Sequence, residues 1–273
     1  MQYLSESIAG IDGTNGTLFA YILDNSSEIS LDRTRPAVLI LPGGGYEMTS
    51  DREAEPIAMQ FLAAGYQAFV LRYSVKPSLY PTALVQAATA MQLIRERATE
   101  YHVDPQKVAV LGFSAGGHLA ANLATSAGDE DIRAHGLDPD AVRPNGLLLA
   151  YPVISSGEYA HRGSFAALLG ERADDSKMLE KLSLEHHVDA KTPPTFLWHT
   201  MPDETVPVEN SLFFIQACKA AGVEVEAHLY PRGGHGQSLG SVETARRGDP
   251  ADAEPSVKSW INLALAWFQR EFA

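Results

Sequence analysis

Apolar positions along this chain follow two alternating periods. Residues 37–41, 66–72, 108–112, 146–151, 195–200 and 225–230 are short runs rich in aliphatic and β-branched side chains, which predicts buried strands. Residues 17–23 predict a further N-terminal strand or hairpin. Between these runs the apolar positions recur every three or four residues, which predicts helices over 53–64, 118–125, 207–221 and 256–272, plus a long one opened by Pro81. Proline is tolerated there because the first helical turn has no amide partner to lose. In that helix Leu84, Ala87, Ala88, Met91, Ile94 and Ala98 keep helical spacing, and the last one has Val257, Trp260, Ile261, Leu263, Ala264, Trp267 and Phe268 to bury, with Ala266 less central. Strands alternating with helices predict an α/β fold, with a mostly parallel twisted sheet of about eight strands and helices on both faces. Asp104-Pro105 reads as a break before the strand at 108.

One segment departs from the alternation. Residues 153–193 carry turn signals, charge and only short helical pieces, at 164–169 and 176–182. They predict an insertion over the strand ends, acting as a small lid within a single domain spanning 1–273. Residues 240–255, rich in Gly, Glu, Arg and Asp, predict an exposed, mobile loop. There is no internal repeat.

Composition narrows the function classes. At 273 residues the chain can bury a large core, and 45% hydrophobic with 20% charged residues is ordinary for a globular protein. The net charge of −13 argues against nucleic acid, anionic membranes and polyanions as partners. No stretch reaches the roughly 18 apolar residues of a membrane span, and residues 1–10 lack the basic start and apolar core of a signal peptide. Cytoplasmic residence is the expectation, and a homo-oligomer is compatible with the sequence. The only cysteine, Cys218, excludes an intrachain disulfide and a cysteine-based zinc cluster. Its helical setting predicts a buried small hydrophobe.

The chemistry centres on Val108-Ala-Val-Leu-Gly-Phe-Ser-Ala-Gly-Gly-His118. A strand ends at Gly112, Ser114 follows, and glycines precede a helix: the G-x-S-x-G elbow in its strand–turn–helix setting. The tight turn lifts the serine hydroxyl out of the sheet and aims a helix N-terminus at it, where partial positive charge favours a developing oxyanion. A neutral hydroxyl is a poor nucleophile and needs a base, itself oriented by an acid. In sheets of this type the acid and then the histidine follow the serine along the chain. Of nine histidines, His102 precedes the elbow and His118 lies on its helix. His135, His161, His186 and His187 fall in loops or the insertion, and His199 and His228 lie inside strands as core or sheet-face residues. His235 follows the last strand in Pro231-Arg-Gly-Gly-His-Gly236, which makes it the candidate base. Asp203, three residues past the strand at 195–200, is the candidate acid, with Glu204 beside it not separated by spacing alone. The amide of Ala115 is one candidate oxyanion donor, and Leu41-Pro-Gly-Gly-Gly-Tyr46 supplies others. That glycine run lacks the Lys-Ser/Thr of a phosphate loop and the G-x-G-x-x-G spacing of a dinucleotide site. No metal or organic cofactor is required.

Together, Leu41-Pro-Gly-Gly-Gly-Tyr46, Gly112-Phe-Ser-Ala-Gly-Gly-His-Leu119, Asp203-Glu-Thr-Val-Pro207 and Gly234-His-Gly236 resemble the α/β-hydrolase superfamily. More narrowly they are similar to bacterial carbohydrate esterases of the acetyl-xylan type and to the hormone-sensitive-lipase-like group. The resemblance spans about residues 35–270. It implies Ser114 as nucleophile, Asp203 as acid, His235 as base and oxyanion amides at Gly44, Gly45 and Ala115. Tyr46, directly after the glycines, is placed to line the acyl or alcohol side as a substrate-binding residue, with packing of the loop as the alternative. Pro42 stands where the lipase-like group has histidine. The function so implied is a serine esterase for short acyl esters, acetyl-type on a small-molecule or oligosaccharide alcohol. A serine peptidase of the prolyl-oligopeptidase type and a non-catalytic binding homologue are the alternatives.

Overall fold

The computed structural model describes residues 1–272. Among them eight strands form one open sheet: β1 (Gln2–Ala9), β2 (Asn15–Ile22), β3 (Arg35–Leu41), β4 (Gln67–Arg72), β5 (Val103–Phe113), β6 (Gly146–Ala150), β7 (Thr195–Thr200) and β8 (Val225–Tyr230). Their spatial order is β1-β2-β4-β3-β5-β6-β7-β8. β1 and β2 make an antiparallel hairpin, and β2 runs antiparallel to β4. Every pairing from β4 across to β8 is parallel. The helices are α1 (Glu55–Ala63), α2 (Thr82–Glu96), α3 (Ala115–Ala124), α4 (Asp129–Ala134), α5 (Pro139–Val142), α6 (Arg162–Leu169), α7 (Ser176–Lys181), α8 (Glu209–Ala221) and α9 (Ser259–Phe272).

The period-two alternation of the strands sorts the core into two layers. Val38 and Ile40 of β3, with Ala109, Leu111 and Phe113 of β5, pack against α1 and α9. Ala37, Leu39 and Leu41, with Val108 and Val110, face α2, α3 and α8. Strands buried on both faces read as continuous apolar runs, which is why they stand out in the sequence. Cys218 of α8 is fully buried, and burial pushes its thiol pKa up to about 12, as befits a small apolar filler.

Three segments differ from their sequence expectation. Pro105 does not end a strand: β5 begins at Val103 and passes through it, with its register against β3 shifting between Arg35 and Ala37. Proline fits at such an irregularity because no ladder hydrogen bond is asked of its nitrogen. The two short helices α4 and α5 went unread: α4 is charged and buries only Ile132, and α5 is a single turn of four residues. Residues 240–255 are only partly exposed. They form three short 3-10 turns, Thr244 is buried, and its hydroxyl accepts from the Leu239 amide. The insertion at 153–193 holds α6 and α7 and is anchored by buried Phe165, Leu168, Leu182 and Leu184.

Candidate active site

Parallel strands of an open α/β sheet direct their carboxyl ends to one edge, and that edge is where such folds place their chemistry. β5 delivers Ser114 there. The residue holds φ 51° and ψ −118°, a left-handed backbone that costs a non-glycine residue about 1–3 kcal/mol. The surroundings over-determine it: the Ser114 amide donates to Ala150 O (3.0 Å), and its carbonyl accepts from Val153 N (3.0 Å) and His118 N (3.1 Å). The flanking glycines are steric requirements. A Cβ on Gly112 would run into the Gly116 carbonyl, and one on Gly116 into the carbonyls of Leu41 and Pro42.

β8 and β7 deliver the partners. His235 Nε2 lies 2.8 Å from Ser114 Oγ, and His235 Nδ1 lies 2.7 Å from Asp203 Oδ2. The carboxylate can only accept from Nδ1, which leaves Nε2 with a lone pair facing the serine hydroxyl. Asp203 is buried, whereas Glu204 beside it is exposed, so spacing that left the two open is resolved by orientation. Asp203 Oδ1 accepts the amides of Thr205 and Val206, both at 3.0 Å. Burial works against ionising this carboxyl, but hydrogen bonds from His199, His235 and the Val206 amide outweigh it and hold the pKa well below the usual carboxylate range.

His199 is a partner that sequence reasoning placed in the core without a job. It is fully buried, and it touches the acid: Nε2 lies 2.9 Å from Val206 O and 3.2 Å from Asp203 Oδ2, while Nδ1 meets Ser211 Oγ at 2.7 Å. A carbonyl accepts only, so Nε2 carries the hydrogen and braces the same oxygen that orients His235. The four-residue spacing from His199 to Asp203, across the end of β7, was the available signal.

The glycine loop after β3 approaches Ser114 from the other side. Gly43 cannot serve as an oxyanion donor, because its amide donates to Glu53 Oε2 at 2.8 Å. The amides of Gly44, Gly45 and Ala115 have no acceptor within the protein among the described residues. Gly44 has φ +133°, and a Cβ there would strike the Met48 backbone. Glu53 was not anticipated. It is buried, and its second oxygen accepts from Tyr151 Oη at 2.7 Å; Tyr151 Oη in turn accepts the Ser238 amide at 3.0 Å. The Tyr151 ring meets His235 edge-on at 5.1 Å between centroids. One carboxyl group thus ties the glycine loop, the end of β6 and the histidine loop together.

Of the two readings of Tyr46, the structure shows the packing one and not the substrate-lining one. The residue is only 3% exposed, and its hydroxyl donates to His118 Nδ1 at 2.9 Å, so its ring packs the loop from behind instead of lining the cleft. His118 Nε2 donates to Leu182 O at 3.0 Å, and burial lowers the imidazole pKa to about 4. The pair buckles the glycine loop to α3 and to the insertion.

Ser114, His235, Gly44 and Gly45 open onto a cleft of about 390 Å³. His161 also lines it and was passed over as an insertion residue. Its Nδ1 accepts the Ser164 amide (3.3 Å) as the cap of α6. Burial, then the neighbouring His235, lowers its pKa. Among the described residues no group of three or more His, Cys, Asp or Glu side chains could hold a metal ion, and no helix is long and apolar enough to cross a membrane.

The model of the BD-FAE family matches residues 24–217, more than half of the chain. The chain belongs to the BD-FAE family. It is an α/β-hydrolase related to carbohydrate esterases and carboxylesterases. Endo-1,4-beta-xylanase B of Butyrivibrio fibrisolvens is 36% identical over 230 residues, covering 83% of this chain and 35% of that protein. The acetylxylan esterase of Xylanibacter ruminicola is 31% identical over 210 residues, covering 75% and 42%. This chain therefore spans well under half the length of those two relatives. The crystal structure of an acetyl ester-xyloside bifunctional hydrolase from Caldicellulosiruptor lactoaceticus superimposes with a TM-score of 0.80 at 40% identity, covering 94% of this chain and 88% of that one.

Proposed function

We propose that this BD-FAE member is a serine esterase that removes short acyl groups, acetyl above all, from a carbohydrate alcohol through an acyl-enzyme. The observation that carries the reading is the unbroken relay from Ser114 to His235 to Asp203, opening onto a cleft beside three unengaged amides. Ser114 Oγ attacks the ester carbonyl while His235 Nε2 takes its proton, and Asp203 stabilises the imidazolium so formed. The carbonyl oxygen becomes an oxyanion, received by amides of Gly44, Gly45 and Ala115. Removing one such donor costs roughly 10²–10³ in turnover. The tetrahedral intermediate collapses, the C–O bond to the alcohol breaks, and His235 protonates the departing oxygen. Water then repeats the sequence on the acyl-enzyme, releasing the acid and restoring the serine.

The names of the relatives support acetyl esters of sugars as the substrate class. In this reading the insertion roofs the cleft, as its delivery of His161 to the wall supports. Paired assays test the reading. The chain should hydrolyse p-nitrophenyl acetate, faster than the octanoate, and leave aminoacyl p-nitroanilides intact. Turnover of the anilides alone would overturn the esterase assignment in favour of a peptidase.

A further inference from the structure

Two guanidinium groups in the cleft remain unexplained by ester hydrolysis. Arg52 Nε donates to Thr244 O at 2.7 Å, and its Nη2 donates to Gly236 O. Arg246 Nη2 donates to His235 O at 3.2 Å. Both groups crowd one place: the Cβ position of Gly236 lies 3.2 Å from Arg246 Nη2 and 3.8 Å from Arg52 Nη1. Neither has a carboxylate partner among the described residues, in a chain whose net charge is −13. The acidic groups nearby are engaged elsewhere: Glu53 by the Gly43 amide and Tyr151, Asp203 by His235 and His199, and Asp252 Oδ2 by the backbone amide of Arg246 at 2.7 Å. Nη1 of each arginine makes no hydrogen bond with the protein, and both arginines line the cleft that holds Ser114. Two like charges held around one point repel, and an anion between them reverses the sign of that interaction.

We infer that Arg52 and Arg246 form an anion subsite on the leaving-group side of the cleft, so the preferred alcohol carries a carboxylate, as a uronic acid does. The side follows from the proton relay. The alcohol oxygen must come within reach of His235 Nε2, so the alcohol extends over the loop whose carbonyls these arginines grip. The inference rests on the esterase reading. Its magnitude is modest because Arg246 is exposed to solvent, which screens its charge.

Methyl glucuronide and methyl glucoside acetylated at the same hydroxyl form the matched probes, with kcat/KM as the readout. The wild type should prefer the uronide by about tenfold at low ionic strength, and 0.5 M NaCl should shrink that ratio several-fold. R246Q should bring the ratio near one, and R246E should invert it. Equal rates on the two probes in the wild type, or a ratio unmoved by salt or by R246Q, would overturn the subsite. Failure of the esterase reading looks different, since then the wild type hydrolyses neither probe nor p-nitrophenyl acetate. The salt dependence needs no variant, so an unstable R246Q leaves the test intact.

Discussion

At the scale of residues, the site is held together by buried side chains outside the Ser114–His235–Asp203 relay. Glu53 is the clearest case, because both its oxygens accept hydrogen bonds from groups that shape the glycine loop and the histidine loop. Glu53→Gln preserves volume but replaces one acceptor with a donor, so either the Gly43 amide or the Tyr151 hydroxyl loses its partner. An unsatisfied buried group costs about 1–3 kcal/mol. The variant should lose that much stability and roughly tenfold in kcat, because the loss falls on the geometry of the glycine and histidine loops. Steady-state kinetics beside a urea titration check this, and wild-type kcat would refute the strut. The residues with a chemical signature were legible in sequence: Ser114 by its glycines, His235 by its place after the last strand, Asp203 by its place after β7. Glu53, His199 and His161 were not. Their roles depend on which backbone carbonyls and amides the fold brings beside them, and no local pattern encodes that.

At the scale of elements, α3 does more than cap the elbow. His118 on this helix links Tyr46 of the glycine loop to Leu182 of the insertion, and does so as a neutral imidazole. Burial sets its folded pKa at about 4, against 6.5 for a free histidine. The unfolded chain therefore takes up this proton first on acidification. The stabilisation is full above about pH 6.5 and drains away as pH falls to about 4, by roughly 3 kcal/mol. His118→Gln can keep both hydrogen bonds without titrating. It should be less stable than wild type at pH 7.5, yet lose clearly less stability between pH 6.5 and 4.5, as read from urea midpoints. Parallel acid profiles would contradict the assignment. The strands of the parallel sheet and the long helices were readable because burial on both faces, or along one face, imposes a period. β1, α4 and α5 were not, since the hairpin's outer strand is mostly exposed, α4 buries only Ile132 and α5 is a single turn. Residues 240–255 misread because their composition is that of a loop, whereas hydrogen bonds, Arg52 to the Thr244 carbonyl, the Leu239 amide to the Thr244 hydroxyl and Arg246 to the His235 carbonyl, fix them against the site.

At the scale of the whole molecule, the sheet edge brings the ends of β5, β7 and β8 and the glycine loop together, so that Ser114, paired with His235 and Asp203, faces an open cleft. Removing the nucleophile should lower ester turnover by at least about 10⁴-fold. A more direct reading comes from a fluorophosphonate probe, which phosphonylates only a serine activated by its neighbours. Intact-mass analysis should find a single adduct on the wild type, peptide mapping should place it on Ser114, and Ser114→Ala and His235→Ala should remain unlabelled while keeping the native fold. An unmodified wild type, or an adduct that persists in folded Ser114→Ala, would contradict the account.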